Sequence, residues 1–73
     1  METSNLVGMA NRIGRFFAAM PDRAEALEGI ARHIRLFWER RMRSELLAHI
    51  DGHAGEGLDP IVLDALRQHR KLL

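Results

Sequence analysis

No cysteine occurs among the 73 residues of this chain, and that absence limits how so short a chain can be stabilised. A domain of this size buries proportionally little surface, and such domains commonly depend on disulfides, a structural metal or a partner chain. Disulfides, thiolate zinc sites and cysteine-ligated iron–sulfur clusters are excluded here. A cysteine-free chain fits a reducing compartment, so a cytoplasmic location is expected. A partner chain is the expected source of further stability.

Apolar residues recur at three- and four-residue steps, which is the spacing of one face of an α-helix. The predicted helices cover residues of about 4–20, 22–38, 40–51 and 59–71. Pro21 separates the first two helices, and Asp59 with Pro60 provides a cap and a first position for the last. Three glycines predict a loop over residues 52–58. The predicted fold is all-α, a small compact bundle of three to four short helices in a single domain covering residues 1–73.

The first predicted helix combines an apolar face with two glycines. The apolar face contains Leu6, Met9, Ile13, Phe16, Phe17 and Met20. Gly8 and Gly14 each cost about 1 kcal/mol relative to alanine inside a helix. Either a second helix approaches closely at these glycines, or the helix simply tolerates them.

Residues arranged for catalysis or cofactor binding are not evident. The glycines of the loop lack the strand and the Lys-Ser/Thr pair of a phosphate-binding loop, and the two serines have no nucleophile setting. His49 and His53 have a spacing that could align two metal ligands on a helix, but Gly52 disfavours a helix through His53. We therefore expect no catalytic, cofactor-binding or metal-binding residue in this chain.

The chain also lacks the sequence features of a membrane protein. Its longest apolar run, residues 16–20, is far shorter than the roughly 20 residues that span a bilayer. No basic segment leads into an apolar stretch near the N-terminus, so no secretory signal is expected. Membrane association is therefore not predicted.

An arginine-rich segment, residues 32–43, is the most distinctive part of the sequence. It contains five arginines and one glutamate, a formal charge of +4, together with two adjacent aromatic residues and a methionine. These residue types are enriched at protein interfaces, and guanidinium groups bind carboxylates or phosphates through paired hydrogen bonds. The predicted partner-binding residues are Arg35, Trp38, Arg40, Arg41, Met42 and Arg43, with Arg12 and Arg15 as a second patch.

Alternatives to this interface remain open at the level of sequence. Adjacent helical positions point about 100° apart, so Phe37 and Trp38 cannot both face one core. We predict that Phe37 lies in the core, and the sequence does not decide between core and interface for Trp38. The arginines could simply be solvated or could bind nucleic-acid phosphates, although the net charge of only +1 argues against the latter.

Over roughly residues 5–66 the chain resembles the delta subunit family of NAD-dependent molybdenum formate dehydrogenases. The resemblance rests on Leu6-Val7-x-Met9-Ala10-Asn11-x-Ile13-x-x-Phe16-Phe17, Pro21, Ile30-Ala31-x-His33-Ile34-x-x-Phe37-Trp38, Arg41-Met42-Arg43 and Gly57-Leu58-Asp59-Pro60. Its most specific parts are Met-Ala-Asn-x-Ile and Phe-Trp…Arg-Met-Arg. The family usually has Asp-Pro where this chain has Glu39-Arg40. Without that proline, the second and third helices could be more continuous here.

The resemblance implies a place in a larger complex. Such enzymes oxidise formate at a bis-molybdopterin guanine dinucleotide centre in a large alpha subunit, and electrons then pass through iron–sulfur clusters. A beta subunit with FMN reduces NAD, and a gamma subunit holds a further cluster. The resemblance therefore implies a non-catalytic accessory subunit that holds none of these cofactors and shares the complex with alpha, beta and gamma. We expect it to pack on the alpha subunit and to stabilise that subunit or its cofactor-loaded state. The alternatives are a maturation factor for molybdenum cofactor insertion and, less favoured, a small helical regulator that binds nucleic acid.

Overall fold

A computed structural model describes residues 2–73 of the chain, and this part is built from four α-helices. They are α1, Thr3–Phe17; α2, Arg23–Phe37; α3, Arg40–His53; and α4, Pro60–Gln68, followed by a short 3-10 turn at Arg70–Leu72. No strand occurs between residues 2 and 73. The predicted all-α bundle of short helices is confirmed.

The ends of the helices differ from the predicted ends by a few residues. Helix α1 ends three residues before Met20, whose N–H instead donates to the Phe17 carbonyl oxygen at 3.0 Å in a turn. Pro21 follows, and a proline disfavours helical backbone in the residue before it. Helix α3 continues two residues beyond its predicted end, to His53. Ala54 then takes a left-handed conformation with φ of 55°, which ends the helix.

Asp22 and Asp59 precede α2 and α4, but their side chains form different hydrogen bonds. Asp22 caps α2, because its Oδ1 accepts a hydrogen bond of 3.1 Å from the N–H of Glu25. Asp59 precedes α4, with Pro60 at the first helical position, but its side chain makes no capping hydrogen bond. It accepts instead from Arg15 of α1. The prediction that Asp59 caps α4 through its side chain is therefore wrong.

The core lies between the four helices. Its buried cluster contains Leu6, Ala10, Leu27, Ile30, Ile34, Trp38, Leu46, Ile50, Leu58, Val62, Ala65 and Leu66. Helices α1 and α4 approach each other closely at Gly14, where an added Cβ would overlap Cγ2 of Val62. At Gly8 an added Cβ would meet only the Arg12 Nη1 atom at 3.8 Å. Gly14 therefore permits close helix packing, whereas Gly8 is merely tolerated.

Asn11 connects α1 to the glycine-rich loop. Its side chain is 8% exposed, and its Nδ2 donates to the Gly57 carbonyl oxygen at 2.9 Å. Its Oδ1 accepts from the Asp59 N–H at 2.8 Å. We call this contact region, formed by Asn11, Gly14, Gly57, Asp59 and Val62, the α1–loop junction. It fixes the start of α4 against the middle of α1.

None of the helices within residues 2–73 is long and apolar enough to cross a bilayer.

Candidate partner interface

Phe37 and Trp38 are adjacent in sequence, but Phe37 is exposed and Trp38 is buried. Helix α2 ends at Phe37, which is 72% exposed, whereas Trp38 is only 6% exposed and belongs to the core cluster. The prediction that Phe37 lies in the core is wrong. The backbone of Trp38 is extended, with φ of −93° and ψ of 140°, and this change of direction accompanies the burial of its side chain. Trp38, predicted to bind a partner, does not present its side chain on the surface.

The break between α2 and α3 persists without the proline typical of the family. Trp38 and Glu39 both have extended backbones, and α3 begins at Arg40. The expectation of a more continuous pair of helices is therefore wrong. A buried tryptophan at the break gives a physical reason, because a straight continuation of α2 would alter the direction of its indole ring.

A row of rings covers the contact between the end of α1 and one face of α2. We call it the aromatic strip, and it contains Phe16, Phe17, His33 and Phe37. The ring centroids of Phe16 and Phe17 are 5.2 Å apart, edge to face, and those of Phe17 and His33 are 6.3 Å apart. His33 and Phe37 are separated by 4.7 Å. Phe16 and Phe37, at its two ends, are 75% and 72% exposed, whereas Phe17 and His33 between them are half-buried, so the strip exposes most of its apolar surface at its ends.

A shallow groove of about 330 Å³ runs beside the strip, lined by Arg12, Ile13, Phe16, Phe17 and His33. Arg12 is exposed and has no ion-pair partner among residues 2–73. The groove therefore combines apolar walls with one uncompensated guanidinium group. Such a groove suits a partner segment that presents an apolar side chain next to an acidic group.

The partner-binding residues predicted in the second and third helices, apart from Trp38, occupy three different environments. Arg35, Arg40 and Arg43 line one cleft, together with Lys71 and two C-terminal leucines. Arg41 is exposed outside that cleft. Met42 is half-buried and packs on the core cluster, so most of its surface is not free for a partner.

The second predicted patch is also divided. Arg12 lines the groove beside the strip, whereas Arg15 is paired with Asp59, its Nε donating to Oδ2 at 3.2 Å. Because the Arg15 side chain is 69% exposed, this ion pair contributes little to stability. Of the two, Arg12 is the residue left for a partner. The structure thus places Arg12 next to the aromatic residues, whereas Arg15 contacts Asp59.

The remaining ion pairs connect helices or lie along one helix. They are Arg23 with Asp64, Arg32 with Glu28, and Arg70 with Asp51. Arg70 uses two nitrogens, at 2.9 and 2.7 Å, to bind the two carboxylate oxygens of Asp51. This hydrogen bonding lowers the pKa of Asp51 below its ordinary value and ties the C-terminal turn to α3.

His49 and His53 lie near the loop with their ring centroids 5.7 Å apart. His49 Nε2 is 2.7 Å from the Glu56 carbonyl oxygen, which can only accept, so this nitrogen donates the hydrogen bond. Within residues 2–73 no three histidine, cysteine, aspartate or glutamate side chains are grouped closely enough to hold a metal ion.

Sequence reasoning missed the exposed apolar residues at the end of α2. Leu36 and Phe37 are 73% and 72% exposed. A signal was present, since two adjacent aromatic positions on a helix cannot both be buried by one core. It also missed Lys71, whose approach to the arginines of α2 and α3 depends on how the chain returns after α4.

Comparison with known proteins gives one match. Neither the search of curated proteins nor the search of solved structures found a matching protein. The family model of the NADH-dependent formate dehydrogenase delta subunit, FdsD, matches residues 5–66. This range is most of the chain and confirms the resemblance. It includes Asn11 and Asp59 of the α1–loop junction and every residue of the aromatic strip. The chain therefore belongs to the NADH-dependent formate dehydrogenase delta subunit family.

Proposed function

We propose that this chain is a non-catalytic accessory subunit that packs on the molybdenum-containing alpha subunit of formate dehydrogenase and stabilises it. Membership of the delta subunit family supports a place in the complex. In this proposal the bis-molybdopterin guanine dinucleotide, the iron–sulfur clusters and FMN are held by other subunits, beta and gamma among them. The delta subunit contributes a surface rather than a reacting group.

The aromatic strip is the observation that most supports a docking role. Phe16 and Phe37 are 75% and 72% exposed, although burial of a phenylalanine side chain stabilises a protein by about 1.5–3 kcal/mol. A contiguous exposed apolar feature on a small protein commonly marks an interaction site. Aromatic residues are also frequent energetic centres of interfaces. We therefore place the strip at the centre of the contact with alpha.

Charge at the edge of the strip supports the same orientation. Arg12 lies in the groove beside Phe16 and Phe17 and forms no ion pair within residues 2–73. An unpaired arginine at an interface rim accelerates association with an acidic surface and disfavours basic ones. The proposed partner surface is an apolar depression with at least one carboxylate at its edge.

Copurification tests the proposal. The chain is given an affinity tag, purified gently from its native host and examined by mass spectrometry and by a formate–NAD activity assay. We expect the alpha subunit and activity in a fixed ratio. The Phe16→Ser/Phe37→Ser variant should bind the alpha subunit at least about tenfold more weakly, which corresponds to a loss of about 1.4 kcal/mol of binding free energy or more. Less alpha subunit should therefore copurify with it.

Leu36→Ser is the matched control, because Leu36 is equally exposed on α2 but lies outside the strip. It should retain much more alpha subunit than the double variant. Equal retention by the double variant and the unaltered chain would contradict docking through the strip. Recovery of cofactor-free alpha subunit without activity would instead indicate a maturation factor. Recovery of no dehydrogenase subunit would overturn the accessory role and make nucleic acid the next partner to test.

A further inference from the structure

A basic cleft lies at the C-terminal end of α2, between α2, the start of α3 and the C-terminal turn. It has a volume of about 580 Å³ and is lined by Arg35, Arg40, Arg43, Lys71, Leu72 and Leu73. No carboxylate within residues 2–73 forms an ion pair with any of its four cationic side chains. The cleft is therefore a concentration of uncompensated positive charge with one apolar wall.

Arg43 is the unusual member of this set. It is only 9% exposed, and its buried Nε has no hydrogen-bond partner in the described part of the chain. A buried charged donor left without an acceptor is costly, and buried polar groups in proteins are normally satisfied. Because this Nε has almost no accessible surface, Arg43 contributes a fixed positive charge to the wall of the cleft rather than a donor to a ligand.

The chain itself shows what a carboxylate requires. Arg70 alone satisfies Asp51, through two hydrogen bonds of 2.9 and 2.7 Å. Three arginines and a lysine around one cleft exceed that requirement. They match a phosphate group better, because it has a charge of about −1.5 to −2 at neutral pH and three strong acceptor oxygens. Helix α3 begins at Arg40, and the partial positive charge of a helix N-terminus favours the same kind of ligand.

We propose that this basic cleft binds the phosphate group of a small molecule, with Arg35, Arg40 and Lys71 as its hydrogen-bond donors and with the buried charge of Arg43 adding to the positive potential of the wall. The apolar wall formed by Leu72 and Leu73 leaves room for a carbon-containing part of the ligand beside the phosphate. This site is separate from the aromatic strip, so its existence does not depend on the proposed docking role.

Calorimetric titration of the purified chain with pyrophosphate, at a constant ionic strength of about 0.15 M, tests the proposal directly. Inorganic phosphate is the second probe, and succinate is the carboxylate comparison with a similar charge. We expect saturable binding of pyrophosphate, weaker binding of phosphate and no measurable binding of succinate. Arg40→Gln should weaken pyrophosphate binding at least about tenfold, since it removes a charge-assisted hydrogen bond.

Arg41→Gln is the matched control, because it changes the same charge at the next position of α3 but lies outside the cleft. It should leave the affinity for pyrophosphate within about twofold, as expected for screened surface charge. Arg35→Gln removes a charge from the α2 side of the cleft, and it should weaken pyrophosphate binding in a chain whose circular dichroism is unchanged.

Four outcomes would overturn the proposal. The first is no saturable binding of either phosphate probe. The second is an equal loss of affinity in Arg40→Gln and Arg41→Gln, which would show diffuse attraction to net charge. The third is equal affinity for succinate and pyrophosphate, which would indicate a carboxylate site instead. Binding of an oligonucleotide much more tightly than pyrophosphate, with similar losses in both variants, would indicate a nucleic-acid surface and also exclude the specific site.

Discussion

The middle and the C-terminal end of α1 have different roles, although they are only a few residues apart. At the α1–loop junction, Asn11 satisfies both of its polar groups and Gly14 lets α4 approach closely. At the aromatic strip, Phe16 lies in solvent and Phe17 is only half-buried against α2. The junction is complete within the chain, whereas the strip leaves apolar surface without a cover. The middle of the helix stabilises the fold, and its C-terminal end presents the surface that we propose as the docking site.

This contrast separates the roles of the family's characteristic residues. Asn11 belongs to the Met-Ala-Asn-x-Ile motif, and it bonds to Gly57 and Asp59 of the Gly-Leu-Asp-Pro motif. Two motifs 46 residues apart therefore describe one structural contact. Phe16 and Phe37 also belong to the family pattern, but the core does not use them. Folding accounts for the first group, and the docking role proposed above accounts for the second.

The largest expected effect comes from the neighbours Phe37 and Trp38, one on the strip and one in the core. Trp38→Ala should lower the free energy of unfolding by about 3–5 kcal/mol, because it leaves a large cavity. That loss is comparable to the whole stability of a chain this small, at about 5 kcal/mol. Phe37→Ala should change stability by less than about 0.5 kcal/mol. Urea unfolding followed by circular dichroism measures both, and a large loss in Phe37→Ala would remove the contrast between strip and core.

A smaller effect is expected at the junction. Asn11→Ala leaves the Gly57 carbonyl and the Asp59 N–H without their partner and should cost about 2–4 kcal/mol. Arg15→Ala, one helical turn away, removes only an exposed ion pair with Asp59 and should cost less than about 1 kcal/mol. Thermal unfolding monitored at the helical circular dichroism band gives the comparison. Similar costs for the two variants would show that the junction is not the fixed region described here.

The smallest expected difference in stability is between alanine substitutions of Gly14 and Gly29, two glycines at which helices pack closely. Gly14→Ala would place a Cβ against Val62, which is fully buried and cannot move, so a cost of about 1–3 kcal/mol is expected. Gly29→Ala would place a Cβ 2.5 Å from the Phe17 ring. That ring lies at the half-open strip and can swing outward, so the net change should stay within about 1 kcal/mol. Denaturant midpoints of the two variants measure the difference, and an equal cost would show that the strip is packed as rigidly as the junction.

Helical periodicity and turn chemistry predicted most of the fold. The spacing of apolar residues identified all four helices, and Pro21, the glycines after Gly52 and the Asp-Pro pair marked the connections. The side of a helix that faces the core is set by these patterns. These patterns do not set the burial of a residue at the end of a helix, because the direction of its side chain depends on the backbone conformation of the cap. Phe37 was misplaced, and Trp38 was left undecided, for this reason.

The candidate sites were less predictable than the helices. Arg35, Arg40 and Arg43 were recognised together because they lie near each other in sequence, but Lys71 joins them only through the packing of the C-terminal turn. The burial of Arg43 also depends on tertiary structure, since arginine is usually exposed. The aromatic strip required the crossing of α1 over α2, which brings Phe17 onto Gly29 and next to His33.

Trp38 gives the chain an intrinsic optical reporter. It is the sole tryptophan, there is no tyrosine, and its side chain is buried at the break between α2 and α3. Ultraviolet emission excited near the red edge of protein absorption therefore arises from one known position. A shift of that emission to longer wavelength would report that water has reached this corner of the molecule. The same signal can follow assembly with larger subunits only where their own tryptophans have been replaced or spectrally separated, for example by a fluorinated indole introduced into this chain alone.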